Sequence, residues 1–266
     1  MRQCMPEEYS NYIAWAKEAD GDSVYPGAVA EGVQSGAVYT DGNAVLFHHF
    51  CGFAHIAGDP DSAFLAEIAA RFFGETPPLG RFVLITARPE IRAFFAAQPG
   101  IAADERYYFR AESAPEIAVP AGFSASAVTP ALLPRIHGRI IPSFSWASDA
   151  QFLRSGFGCC ILDGETAAAC AFSAAVTAQA ADIGLETQEA YRRRGLAACA
   201  AAAVMREAVR RGKAPVWACS TANIASAKTA QKLGFRHTHT CTVLRRSGES
   251  LPRDRNAPHS TNAAQI

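Results

Sequence analysis

The stretch Tyr191-Arg192-Arg193-Arg194-Gly195-Leu196-Ala197 joins two segments of different periodicity, and the fold turns on how it is read. Before it, Ala181-Asp182-Ile183-Gly184-Leu185-Glu186-Thr187 has the character of a strand. After it, apolar residues at Leu196, Ala200, Val204, Ala208 and Val209 recur at helical spacing over Leu196 to Arg211. A glycine-containing turn that opens a helix leaves several backbone N–H groups unpaired and pointing one way. With the helix dipole, those donors make a cradle for a pyrophosphate. Gly195 lets a ligand approach the backbone closely, and the small side chain of Ala197 keeps the next turn clear.

The residues downstream supply the context. Pro215 to Ser220 reads as a short buried strand, and Thr221 to Leu233 as a second helix with Gly234 as its left-handed C-terminal residue. Phe235 to Leu244 has the β-branched and aromatic content of a strand. An Asn-x-x-Ser opening (Asn223, Ser226) and a Lys232-Leu233-Gly234-Phe235 ending therefore bracket the helix after the cradle.

Arg-x-x-Gly-x-Ala at 192–197, followed by these residues in this order, resembles the GNAT N-acetyltransferase superfamily. More narrowly, the chain resembles the zwittermicin-resistance-type GNAT acetyltransferases. The residues that carry this are Gly184-Leu185-Glu186-Thr187, Tyr191-Arg192, Gly195-Leu196-Ala197, Trp217, Asn223, Ser226 and Lys232 to Phe235, so it is sharpest over 121–246. The resemblance implies an α/β (α+β) GNAT fold, a mixed central sheet flanked by helices, preceded here by a smaller, divergent α/β N-terminal domain. It implies direct acetyl transfer from acetyl-CoA, as co-substrate, to a primary amine of a small molecule such as an antibiotic, amino-sugar or amino acid.

The site residues are implied in the same way. Arg192, Arg193, Arg194, Gly195, Leu196 and Ala197 would hold the pyrophosphate. Leu185 and Thr187 belong to the strand whose backbone would run along the pantetheine arm, splayed from its neighbour, and Asn223 would contact the CoA arm. For a base the strand itself offers Asp182 and Glu186, two carboxylates on one face by period-two alternation. Glu186 is preferred as nearer the expected thioester. The tyrosine that the family places seven residues after the Asn, as general acid, is Ala230 here. Ser226, Thr229 and Cys219 are nearby substitutes. The missing acid motivates an alternative reading, a catalytically inactive CoA-binding sensor or interaction module.

Composition narrows the partners. The 266 residues carry 25 basic and 25 acidic side chains, so no global field recruits nucleic acid or an anionic membrane. The basic clusters at 192–194, 210–213 and 245–246 lack the aromatic interleaving of a nucleic-acid surface. No run reaches the ~20 apolar residues of a membrane span, and no apolar leader opens the chain. Eight cysteines sit mostly among apolar neighbours without Cys-x-x-Cys spacing, as expected of reduced thiols in a cytoplasmic protein. His48-His49, His137 and the alternating His237 and His239 lack partners at ligand spacing, so no metal site is expected. No Gly-x-x-x-x-Gly-Lys-Ser/Thr loop and no Gly-x-Ser-x-Gly elbow occurs, which excludes a P-loop enzyme and a nucleophile role for Ser145. Phe144 and Trp146 are candidates to wall an acceptor pocket. Oligomeric state is not legible.

The chain divides into an α/β region of unknown role over 1–112, a linker over 113–120, the acetyltransferase domain over 121–246 and a disordered tail over 247–266. In the first region Ala37 to Tyr39 and Ala44 to Ile56 read as two strands around the turn Thr40-Asp41-Gly42-Asn43. A helix follows with Asp59 as N-cap, Pro60 at its first position, and Phe64, Leu65, Ile68 and Phe72 as its buried stripe. Phe82 to Thr86 is expected as a strand, Pro89 to Ala97 as a helix and Arg106 to Phe109 as a strand. In the second, a strand at Phe123 to Val128 and helices at Pro130 to Ile136 and Ser148 to Arg154 precede a hairpin, Cys159 to Leu162 and Thr166 to Ala174, turned at Asp163-Gly164. No internal repeat is evident in the sequence.

Overall fold

The computed structural model describes residues 1–19 and 24–248, so nearly all of the expected tail lies outside the described residues. The first half contains β1 (Arg2–Gln3), α1 (Ile13–Lys17), α2 (Val24–Ala30), β2 (Gly36–Thr40), β3 (Ala44–His49), β4 (Phe53–Gly58), α3 (Ser62–Phe72), β5 (Val83–Thr86), α4 (Pro89–Ala96) and β6 (Ile101–Arg110). The second contains β7 (Ser124–Ala127), α5 (Asp149–Ser155), β8 (Gly158–Asp163), β9 (Thr166–Val176), β10 (Ala180–Thr187), α6 (Leu196–Arg210), β11 (Ala214–Ser220), α7 (Ile224–Lys232) and β12 (Arg236–Arg246). All strands join one mixed sheet in the order β1-β2-β3-β4-β5-β12-β6-β11-β10-β9-β8-β7, with helices packed on it.

A repetition absent from the residues is present in the topology. An antiparallel meander, a helix, a parallel strand, a helix and a last strand occur first as β2 to β6 and again as β8 to β12. The last strands are exchanged. β6 lies beside β11 of the second half, and β12 beside β5 of the first. The two exchanged strands pair antiparallel at the centre, from Arg236↔Arg110 to Arg246↔Ile101.

Several local expectations are corrected. The run Ala44 to Ile56 is two strands, because the chain reverses at Gly52, whose φ of +92° suits a residue without Cβ. The N-cap of α3 is Asp61, whose side chain accepts from the Phe64 amide at 2.7 Å, and not Asp59. Pro130 to Ile136 holds only a 3-10 turn at Leu133–Arg135, since Pro134 removes a donor from the middle of the segment. β6 is far longer than Arg106 to Phe109. Ala103, Asp104 and Glu105 are exposed, and pairing with β12 along the whole length, joined by β11 from Arg106 to Arg110, makes it a strand. Val209 is exposed, although Leu196, Ala200, Val204 and Ala208 of the same stripe are buried.

The largest core cluster lies between α6 and β8–β10, where alanines at 200, 201, 202 and 208 let the helix sit close to the sheet. A second core fills the space under α3 and α4. A third is shared by both halves: Tyr25, Phe53 and Val83 meet Ala175, Ala180 and Val216 there. No described helix is long and apolar enough to cross a membrane.

Candidate functional site

β10 and β11 run parallel but pair only at Ala180↔Ala214, Ala181↔Pro215 and Asp182↔Val216. Beyond Asp182 they part, β10 staying with β9 as far as Thr187 and β11 with β6 as far as Ser220. The ladder between β10 and β9 slips at Asp182/Ile183, passing from Ala175 to Ser173, and such a bulge bends a strand away from its neighbour. One edge of β10 is thereby left without a strand. A cleft of about 690 Å³ opens along it, walled by Asp182, Ile183, Gly184 and Leu185 on one side and by Trp217 to Ser220, Asn223, Ser226 and Thr229 on the other. The first half adds Tyr25, Phe53, Arg81 and Val83 to its lining.

At the end of β10 the chain turns into α6. Arg193 (φ 64°) and Gly195 (φ 80°) both adopt the left-handed conformation. The amides of Arg193, Arg194, Gly195, Leu196 and Ala197 meet no acceptor among the described residues; the first amide satisfied there is Ala198, on the Gly195 carbonyl. A Cβ built on Gly195 would meet nothing within 4 Å, so the space above it is open. Arg192, Arg193 and Arg194 are exposed and none pairs with a carboxylate among the described residues; the Arg194 guanidinium lies 5.5 Å from the Tyr191 ring centroid. Five free donors, three guanidinium groups without a carboxylate partner among the described residues and the positive end of a helix dipole fit a diphosphate. The side chain of Leu196 itself is buried in the core. None of these residues lines the cleft itself; they follow the end of β10 in the chain, as the turn into α6.

The two carboxylates of β10 have different surroundings. Asp182 is 5% exposed, lines the cleft, and accepts a hydrogen bond from the Tyr25 hydroxyl at 2.8 Å. Glu186 is half-buried and lies off the cleft walls. Its Oε2 accepts from the Arg139 and Ile140 amides at 2.9 and 3.0 Å, holding the loop whose Arg139 and Ile140 do line the cleft. A Cβ at Gly138 would come within 2.3 Å of Glu186 Cγ, so glycine permits that close approach. Leu185 borders the cleft, while Thr187 pairs with Ala169 beyond it.

On the facing wall Asn223 caps α7, accepting from the Ser226 amide at 3.1 Å, and the Trp217 indole donates to Ser226 Oγ at 3.1 Å. Thr229 Oγ1 donates to the Ala225 carbonyl at 2.8 Å, and burial raises the Cys219 thiol above its ordinary value. Ala230 is fully buried in the core under α7. Phe144 lines the cleft; Trp146 is buried, its indole donating to the Ser173 carbonyl at 2.8 Å. Burial, then the Asp182 charge, holds the Tyr25 phenol well above its usual range. Tyr25 and Arg106 are among the cleft residues that sequence reasoning missed. α2 is buried on every side, so Tyr25 lies in a segment without periodicity to single it out. His237 and His239 are exposed, the latter stacked on Tyr108 at 4.8 Å. Among the described residues no three His, Cys, Asp or Glu side chains are grouped to hold a metal ion, and all eight cysteines are buried and outside any disulfide.

Known proteins share this architecture. A GCN5-related N-acetyltransferase-like protein from Streptococcus suis superposes with a TM-score of 0.69 at 20% identity, over 91% of this chain and all of that one. A GCN5-related N-acetyltransferase from Sphaerobacter thermophilus gives 0.59 at 18%, over 94% of this chain and 96% of that one. A tandem GNAT protein from the clavulanic acid biosynthesis pathway gives 0.56 at 15%, over 92% and 95%. In sequence, an uncharacterised N-acetyltransferase of Bacillus subtilis, YdfB, is 33% identical over 98 residues, 37% of this chain and 38% of that relative. The match thus spans well under half of that relative's length. The family model described as GNAT acetyltransferase matches residues 18–244, and the chain belongs to that family.

Proposed function

We propose that the protein is an acetyl-CoA-dependent N-acetyltransferase that acts on a primary amine of a small molecule. The observation that carries this reading is the parting of β10 and β11 into a cleft, together with the unpaired amides at 193–197 in the turn that follows β10. Bound acetyl-CoA would supply a thioester carbonyl for attack by the amine. The open edge of β10 would offer backbone groups to the pantetheine arm, with Leu185 and, from α7, Asn223 as the side chains that would hold it. Asp182 is the carboxylate placed to take the proton from the attacking ammonium, directly or through a water. Nearness to the zwittermicin-resistance-type enzymes, resting on Gly184 to Thr187, Trp217 and Asn223, is part of the same proposal, as is a cytoplasmic location.

The test is thermal stability with and without acetyl-CoA, on the wild type and on Gly195→Asp. Asp tolerates the left-handed conformation, so the turn is retained while a carboxylate replaces open space at the anion cradle. At ~100 times its dissociation constant the ligand adds ~2.7 kcal/mol to the wild type and nothing to the variant. If neither protein is stabilised, the reading fails. Thiol release in a panel of amino-sugars, amino acids and peptide-like amines then finds the acceptor class.

A CoA-binding module without catalysis is the second reading, favoured by the burial of Ala230, which leaves no tyrosine at the usual acid position. It predicts stabilisation by acetyl-CoA without turnover of any amine.

A further inference from the structure

The first half of the chain reaches the cleft through α2, all of whose residues are buried. Tyr25 projects from it to Asp182, 157 positions away, with its hydroxyl 2.8 Å from Oδ2. The ring is held edge-on by His49 and Phe53, each with centroids at 5.0 Å, so the phenol has little freedom to turn elsewhere. The groups that face this pair come from several elements. Cys51 follows β3, Arg106 lies on β6, Arg81 acts on Cys51, and His49 abuts the Tyr25 ring. Glu105 and Arg139 stand in the same cleft. His49 is held neutral by burial, its pKa lowered to about 3, and the Cys51 thiol is pushed up to about 12. Near neutral pH, Tyr25 is therefore a donor that stays protonated, aimed at the buried carboxylate of the cleft wall. Burying a carboxylate without such donors is costly.

We propose that Tyr25 is a positioning residue for Asp182, its hydroxyl setting the orientation of the carboxylate toward the cleft, so that the reacting site of the second half is completed by the first. This rests on the reading of Asp182 as the base. A hydrogen bond donated to a carboxylate favours the ionised form, so removing it makes the group harder to ionise.

The experiment uses the full chain labelled with ¹³C at aspartate Cγ, as wild type, Asp182→Asn, Tyr25→Phe and Tyr25→Leu. Asp182→Asn identifies the resonance. In Tyr25→Phe its titration midpoint moves up by about one pH unit, the tenfold change expected of one charge-assisted hydrogen bond. With the amine found by the panel, the acid limb of kcat/KM moves the same way, while KM for acetyl-CoA stays within about twofold. An Asp182 midpoint unchanged in Tyr25→Phe overturns the proposal. So does a Tyr25→Phe protein indistinguishable from wild type when only Tyr25→Leu is impaired, since the ring alone would then matter. Full turnover in Asp182→Asn sinks the base reading instead, whatever the titration shows.

Discussion

At the scale of the residue, the two carboxylates of β10 differ in their neighbours. Asp182 is held by a phenol at the cleft, whereas Glu186 spends its Oε2 on two loop amides. A general base contributes ~10²- to 10⁴-fold. Asp182→Asn is therefore expected to lower kcat by ~100-fold or more with acetyl-CoA binding retained. Glu186→Gln, which keeps an oxygen for the Arg139 and Ile140 amides, is expected to cost under ~10-fold, and steady-state kinetics on the two variants separates the roles. Glu186→Ala strips both amides of their acceptor and should lower stability by about 1–2 kcal/mol in urea denaturation. Both carboxylates are visible in the sequence. Their ranking is not, because alternation places them on one face and neither the slip against β9 nor the loop at 138–140 leaves a mark in the pattern.

At the scale of the element, β3 carries a pH dependence. It is buried throughout, and its two histidines are kept neutral chiefly by burial, with pKa values lowered to about 4 for His48 and about 3 for His49. His48 Nε2 has one partner, the Arg81 carbonyl at 2.8 Å. Both groups bind protons more tightly in the unfolded chain, near pH 6.5, than in the fold. Stability is thus fully present above about pH 6.5 and is lost as pH falls to about 4 for His48 and to about 3 for His49. Each histidine costs up to ~1.4 kcal/mol per pH unit across that window. Denaturation at stepped pH is expected to show this slope, and His49→Asn to flatten it. α3 offers a simpler test. Asp61→Ala removes the acceptor of the Phe64 amide and should cost ~1 kcal/mol, while Asp59→Ala, outside the cap, should cost little. Asp59-Pro60 looked the better start because proline favours a first helical position, yet the chain needs two more residues to leave β4 before the helix begins.

At the scale of the whole molecule, the exchange of β6 and β12 ties the halves into one sheet. β12 has β5 and β6 as its neighbours, both from the first half, and β11 has β6 along its outer edge. A chain of residues 113–246 alone leaves β12 without either neighbour and opens the wall of the cleft formed by Tyr25, Phe53, Arg81 and Val83. It is expected to show no cooperative thermal transition and no stabilisation by acetyl-CoA. A cooperative transition in that fragment would mean that the exchanged strand is dispensable.

The sequence by itself determined the βα turn at 187–196, the helices and strands after it, and the family to which they belong. Those features are written in local terms: a period of 3.6 against one of 2, a left-handed glycine, an Asn cap, a Gly-terminated helix. The buried stripe of α3 and the hairpin at Asp163-Gly164 were legible for the same reason. Only the tertiary structure decided that the two halves repeat one topology, that β6 is a ten-residue central strand, and that Tyr25 meets Asp182. Each of these depends on contacts between residues far apart in the chain. The polar part of β6 becomes a strand because β12 pairs with it along its whole length, with β11 as a second neighbour from Arg106 to Arg110. Tyr25 becomes part of the site because a sheet shared by both halves carries α2 to the parting of β10 and β11.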